Sequence, residues 1–295
     1  MRSRILWTVV FLLLIAAMLA PLAEGFDRWD SAPGLGQDTE FQVAALAMGM
    51  FAGSLAVGQQ AVASRPIAAK DDALPVYIEE FFLSEAVRSE DKGELQFTVD
   101  ALAQKRNGSP EDGSSAELDV EFGLTRRLQL GLELPYGISA TQTSELPAGW
   151  SSMNVNVVYQ FIRSNRPFAL SAGVGMNLPV TGRGETSFEP EVLVAKAIGK
   201  AQVHASVIPE IGDDGNGLAY NLAALRPVPK NWIPTLEFNG RRSAGVDSFY
   251  VTPGIYKHLP HRMEAGVGVP VGMGRMSSRV GVIFKMTVEF GDKDD

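Results

Sequence analysis

The stretch HASVIPE, residues 204 to 210, holds the densest set of groups in this chain that could act on a substrate. His204, Ser206 and Glu210 are spaced at even intervals, so in an extended strand all three side chains leave the same face. A histidine close to a serine can take the hydroxyl proton, and a carboxylate can orient the imidazole that does so. That is the chemistry of an acyl-group hydrolase. Pro209 stands against it, because it removes a ladder donor within the strand.

The element that carries these residues must position them, and from about residue 93 onward its period is two. In ELDVEFGLTRRLQLGLELPY, residues 117–136, Leu118, Val120, Phe122 and Leu124 alternate with Glu117, Asp119, Glu121 and Gly123. After TRR the pattern resumes, with Leu128, Leu130, Leu132 and Leu134 against Gln129, Gly131 and Glu133. This is a hairpin of two strands, each with one apolar face. Met153, Val155, Val157, Tyr159 and Phe161 oppose Asn154, Asn156 and Gln160 in the same way. About twelve such segments follow, near 93–104, 115–124, 127–138, 150–162, 167–179, 187–198, 201–211, 217–226, 232–240, 246–257, 261–270 and 278–290. Each approaches the roughly ten residues that a tilted strand needs to cross a bilayer.

The connections alternate between brief (TRR, RSNR, GK, PVPKN, HLPH) and extended (KRNGSPEDGS, ISATQTSELPAG, PVTGRGET, GDDGNG, RRSAGV, VGMGRMSS). A membrane barrel has this rhythm, with short turns at the periplasmic rim and longer loops outside. The apolar rows carry few charges, Lys196 being the clearest exception, while the other rows are rich in glycine, serine, asparagine and carboxylates. Tyr136, Trp150, Phe161, Phe168, Phe188, Trp232 and Tyr256 fall toward strand ends, where interfacial girdles would sit. The expected fold is therefore all-β: a transmembrane barrel of about twelve antiparallel strands, preceded by one or two hydrophobic helical segments.

Those segments open the chain. Arg2 and Arg4 precede an apolar run from Ile5 to Leu22, the order of an export signal or signal anchor. A second run, Phe41 to Gly58, is just long enough to span a bilayer as a helix. The expected organisation is a signal segment over 1–25, a linker with the second apolar run over 26–76, and the barrel over 77–295. A formal charge of -8 argues against a nucleic-acid partner, and the absence of cysteine excludes disulfides and thiolate metal sites. Neither a cofactor nor a resident metal is expected. His258 and His261 flank the HLPH turn without further ligands, TGRGET lacks a phosphate-loop ending, and GDDGNG lacks EF-hand spacing, leaving at most weak calcium contact by Asp213 and Asp214.

On the polar rows, Glu94, Asp100, Glu117, Asp119, Glu121, Glu133, Glu189, Glu191, Glu237, Glu264, Lys285 and Glu289 are the candidates to line a lumen. A carboxylate-rich lumen would favour cations or neutral solutes over anions. The same groups could instead pair with Lys285 or with loop arginines and fill the interior.

The hairpin EFGLTRRLQLGLELPY, Glu121 to Tyr136, resembles that of outer-membrane barrel proteins of the meta-pathway of phenol degradation and related outer-membrane transporters. In that family a strand ending in Gly-Leu-Thr leads into a strand ending in Pro-Tyr. The resemblance, which could extend from about Phe82 to Phe290, implies a channel or uptake protein for small, often hydrophobic solutes. Its partners would be outer-membrane lipid and the barrel-insertion machinery. The chain departs from such barrels in ending GDKDD after Phe290 rather than on an aromatic residue, and in its doubled apolar N-terminus. His204-x-Ser206 looks like the arrangement in outer-membrane lipid A deacylases, but its strand face is that of the lumen, not of the acyl chains. A structural barrel without transport and a soluble periplasmic β protein complete the alternatives.

Overall fold

The computed structural model describes residues 77, 78, 80–87, 90–105, 113–138, 149–150, 152–162, 168–180, 186–212, 215–243, 246–273 and 280–291. The expected signal segment, the second apolar run and the GDDGNG aspartates lie outside the described residues. Every described residue belongs to one compact unit.

Twelve principal strands are described: β1 (Leu95–Lys105), β2 (Gly113–Thr125), β3 (Leu128–Gly137), β4 (Ser152–Ile162), β5 (Phe168–Pro179), β6 (Ser187–Ile198), β7 (Ala201–Gly212), β8 (Gly215–Leu225), β9 (Trp232–Ser243), β10 (Val246–Leu259), β11 (Met263–Gly268) and β12 (Val280–Phe290). Each pairs antiparallel with the next, and β1 closes on β12 from Leu95↔Phe290 to Lys105↔Val280. Gly149–Trp150 leads into β4 and pairs with the end of β3. Val271–Gly272 resumes the line of β11 beyond Val269 and Pro270. Closure leaves no open sheet edge, the condition under which strands can stand in hydrocarbon.

The wall is inverted relative to a soluble barrel. On β6 and β7, Val192 and Val207 are 51% and 48% exposed, whereas Ser206 and Glu191 on the opposite face are buried. Phe122, Leu130, Val155, Tyr159, Met176, Tyr220, Leu222 and Ile255 continue the exposed apolar band around the ring. An apolar belt of this extent has hydrocarbon, not water, as its solvent. Lys196 also points outward, near the end of β6, where a long side chain can reach the interface. Aromatic pairs mark the belt's margins: Tyr136 meets Trp150 edge to face at 5.0 Å, and Lys257 Nζ lies 4.3 Å from the Trp232 ring.

Tyr256 does not join them. One residue from the outward Ile255, it faces inward and is 1% exposed, so its expected place in the girdle is corrected by strand parity.

The short-turn rim is made by Thr125–Leu128, Gly199–Lys200, Arg226–Asn231 and Pro260–Arg262, and both ends of the barrel arrive there. Arg262 takes a left-handed backbone, φ 57, at this rim. Its guanidinium ties Glu94, Glu289 at 2.8 Å and the Gly291 carbonyl at 2.9 Å, joining the beginning and end of the barrel.

Candidate functional site

The space inside the wall is occupied by the chain itself. The described residues between Tyr77 and Glu94, before β1, touch inward side chains on strands all the way round the ring, which is possible only from within. Its outer ends stay at the short-turn rim: His258 bonds to the Tyr77 backbone, and the Gly93 N–H donates to Gly123 O at 2.7 Å. Between them the loop rises to mid-wall and returns.

Apolar groups seat it on one side. Ile78, Phe81 and Phe82 pack in a buried cluster with Ala223 and Leu225 of β8, Ile233 of β9, Tyr256 of β10 and Ile283 of β12. The Phe82 ring stacks on Tyr256 with centroids 4.3 Å apart and planes at 24°. Glycine makes room for it, because a Cβ at Gly254 would collide with the ring and one at Gly268 would stand 2.9 Å from it. Phe81 meets the His204 ring edge on at 4.8 Å. Farther along the loop, Val87 packs with Val158, Ala169, Leu193 and Ala195.

Polar groups fix the register of the loop. Glu237, fully buried, accepts the N–H of Phe82 at 2.8 Å, the N–H of Leu83 at 2.9 Å and the Ser84 hydroxyl at 3.1 Å. Asn239 donates to Leu83 O at 3.1 Å and to Ser84 Oγ at 2.9 Å. Ser171 and Gln160 both donate to the Val87 carbonyl, and the Glu90 N–H donates to Gln129 Oε1 at 2.8 Å. Opposite them, Lys285 Nζ lies 2.8 Å from Glu80 Oε2 and 3.8 Å from Asp100 Oδ2. A buried loop must satisfy its backbone groups, and here wall side chains take the part that water would take outside.

Burial sets the ionisation of the loop's acids. It raises Glu90 well above the usual carboxylate range, with Glu121, Glu94 and Glu289 adding repulsion. Glu85 is raised likewise by burial, then by Glu191 and Glu80. Glu80 goes the other way: against the cost of burial, the charge of Lys285 and hydrogen bonds from Asp119, Lys285 and Gln96 hold it below its ordinary value.

The expected lumen residues divide between this loop and the wall. Glu237 and Lys285 hold the loop directly, Glu191 bonds to Glu85, and Asp119 bonds to Glu80. Glu121 takes bonds from Gln96 at 2.7 Å and from Gln129. Asp100 stands beside Lys285, and Glu117 faces Asp100 across the β1–β2 ladder. Glu133 accepts from Asn156 at 2.9 Å, Glu189 from Asn154 at 3.2 Å and from Ser187 at 2.5 Å. Glu264 lies 3.4 Å from His258 Nδ1, while Glu94 and Glu289 share Arg262.

The hydrolase candidates share a face but not a reaction geometry. Ser206 Oγ accepts from Asn221 at 2.9 Å, and Asn221 in turn accepts from Asn239, which holds the loop. His204 Nε2 faces Gln202 Oε1 at 3.3 Å, and Glu210 is engaged by Arg241 at 2.9 Å. Pro209 opposes Pro190 across a gap in the β6–β7 ladder between Phe188↔Ile211 and Val192↔Val207.

The inserted loop is what sequence reasoning missed. Its trace was nevertheless present: Val158, Leu193, Leu225, Ile233 and Ile283 are apolar residues at polar parity, and each of them packs against the loop's clusters.

No family model matches the chain, and no curated protein matches it. Among solved structures, it is similar to an outer membrane channel from Pseudomonas putida F1, with 14% identity and a TM-score of 0.54, over 69% of this chain and 98% of that one. A KdgM porin aligns at 11% identity and a TM-score of 0.48, over 66% of this chain and 99% of the porin. The NanC porin aligns at 10% identity and a TM-score of 0.48, over 66% and 100%. The likeness to the Pseudomonas channel establishes the fold as that of an outer-membrane barrel.

Proposed function

We propose that this protein is a channel of the Gram-negative outer membrane for small, hydrophobic solutes, shut by its own inserted loop until the loop moves. The observation that carries the reading is the seat of Phe82. Beside its carboxylates and amides the lumen has, at mid-wall, a ring-sized apolar place walled by Tyr256 and the glycines of β10 and β11. A solute that trades water for such a place gains about 25 cal/mol for each Å² of apolar surface it buries.

The remaining features support the same reading. The exposed apolar belt fits outer-membrane lipid as its surroundings and the barrel-insertion machinery as its assembly partner. The short-turn rim would face the periplasm, so the loop would enter from the side on which an N-terminal export segment leaves it. Acidic groups outnumber Lys285 along the wall, which favours cations and neutral solutes over anions. The similar Pseudomonas protein is an outer membrane channel, which supports this reading. His204, Ser206 and Glu210 have no catalytic part in this reading.

The test is conductance and solute uptake by the purified full chain in planar bilayers and liposomes. The account expects low resting conductance, a reversal potential of cation preference in a salt gradient, and uptake of a small apolar solute. A clear anion preference, or no uptake even after the loop has been loosened by substitution, would defeat it.

A further inference from the structure

The inserted loop offers the wall two groups that one small molecule could carry together. Phe82 stacks its ring on Tyr256 with centroids 4.3 Å apart, and the N–H of the same residue donates to Glu237 Oε1 at 2.8 Å. Ring, Cβ, Cα and nitrogen, in that order, are the skeleton of an arylethylamine. Glycines cut the slot for the ring: a Cβ at Gly266 would stand 3.0 Å from Phe82 Cζ, and one at Gly268 would stand 2.9 Å from Cδ2. The wall gives up its own side chains at these positions, so withdrawal of the loop leaves a place shaped for a planar ring.

The polar end of the seat is built for donors. Glu237 is fully buried and takes the Phe82 N–H, the Leu83 N–H at 2.9 Å and the Ser84 hydroxyl at 3.1 Å, all of them from the loop. Among the described residues it has no ion-pair partner, and Lys285 faces Asp100 across the β1–β12 ladder while lying 2.8 Å from Glu80. Withdrawal of the loop therefore strips these donors from the carboxylate and puts no fixed cation in their place.

A second observation is independent of the loop. Thr252 stands opposite Glu237 on the β9–β10 ladder, where facing Cβ atoms lie about 4.5 to 5.5 Å apart, and Thr235 is two residues from Glu237 on the same inner face of β9. They are 0% and 1% exposed, and the hydroxyl of each, like that of Tyr256, has no hydrogen-bond partner among the described residues. Buried hydroxyls without partners are costly, so their presence beside the acid points to a ligand that engages them. A primary ammonium group carries N–H donors for a carboxylate and for a neighbouring hydroxyl at once.

We propose that the vacated seat binds primary arylalkylammonium solutes, with the ring in the Phe82 slot, the ammonium on Glu237 and a further N–H on Thr252. The inference rests on the channel reading above and narrows its solute. A neutral ring of equal size fills the slot but brings no charged donor to the carboxylate, and charge-assisted hydrogen bonds are about twice as strong as neutral ones. An aryl carboxylate sets two negative charges together and is rejected. Phe82 is then a tethered competitor that holds the seat until solute replaces it.

The test uses the full chain in detergent, with the loop unseated by Phe81→Ala and Phe82→Ala, and 2-phenylethylammonium as the probe. Calorimetry should show a single saturable site, roughly tenfold tighter for the probe than for 2-phenylethanol, which has the same ring and length without the charge. Butylammonium, which lacks the ring, should bind as weakly as the alcohol. Adding Glu237→Gln should bring the probe down to the level of 2-phenylethanol, whereas adding Glu210→Gln, at an acid outside the seat, should change nothing. In the wild type the probe competes with the loop, so exchange of the Phe82 and Leu83 amides should quicken as it is added. Heat-modifiable migration on gels confirms that each variant is a folded barrel. Equal affinity for the probe and the alcohol, a preference that survives Glu237→Gln, or wild-type amides that the probe never quickens would each overturn the proposal. Uptake of a neutral apolar solute into liposomes by a protein without this preference defeats the inference alone, while tight binding of the probe with no uptake of any solute defeats the channel reading instead.

Discussion

The two ends of the lumen are filled differently. At the short-turn end Gln96, Gln129, Gln160 and Ser171 are buried, and each bonds to the inserted loop. Toward the long-loop end Glu117, Glu133, Asn154, Glu189 and Glu210 remain part-exposed, and the wall satisfies them itself, as Asn154 does for Glu189 and Arg241 for Glu210. Both ends are built from the same alternation of apolar-out and polar-in. What changes is the inward residue: where Val158, Leu193, Leu225 and Ile233 replace acids and amides, the wall becomes one half of a protein core, and the loop supplies the other half. The comparison separates the two roles of the inner face, wetting a passage and gripping a plug.

The strongest way to break the difference is to remove the rings. Phe81→Ala with Phe82→Ala should cost about 3 to 5 kcal/mol of seating for each ring and leave the short-turn end as wet as the other. Conductance should rise at least tenfold while heat-modifiable migration stays that of a barrel. Lys285→Met comes next, because it leaves Glu80 buried without its partner, a loss of about 3 to 5 kcal/mol if the charge persists. Faster hydrogen exchange of residues 80–87 would register it.

Acidity offers a gentler probe. Glu85 and Glu90 are raised by burial, with Glu191, Glu80, Glu121, Glu94 and Glu289 adding repulsion and Lys285 opposing it at Glu85. A carboxyl raised in the seated state favours seating while it keeps its proton, and that contribution fades as pH climbs from the ordinary carboxylate range through the raised values. Conductance should therefore increase with pH. The smallest effect belongs to Ser206→Ala, which removes one hydrogen bond to Asn221, about 0.5 to 1.5 kcal/mol. It should slightly quicken exchange at Leu83 and Ser84 and leave lipid A acylation unchanged.

The wall was legible in the sequence because hydrocarbon on one side and polar groups on the other impose period two, which residues 117–136 display in full. Strand ends were less so. The segment expected at 261–270 leaves its ladder after Gly268, since Pro270 has no N–H to donate, and β9 runs on to Ser243 through Arg241 and Arg242, which alternation alone does not mark as strand. The acidic rows were found, but not their division between wall and loop. The loop was illegible for a physical reason: Ile78, Phe81, Phe82 and Val87 do not alternate as strand residues do, because contacts with several strands of the wall, rather than a ladder of their own, place them. Tyr256 was misread because its place near a strand end was weighed above its parity, which puts it on the inner face beside the outward Ile255.

The central claim, a loop seated in the lumen that must move for passage, can be tested in a chain that has no cysteine of its own. Ser84 Oγ and Asn239 Nδ2 are 2.9 Å apart, so the two side chains touch and cysteines placed at both positions can be tested for joining the loop to β9. The account predicts that the Ser84→Cys, Asn239→Cys protein oxidises to an internal disulfide in the membrane, blocks solute uptake in that state and regains it on reduction. Uptake by the disulfide-joined form equal to that of the reduced form would contradict it.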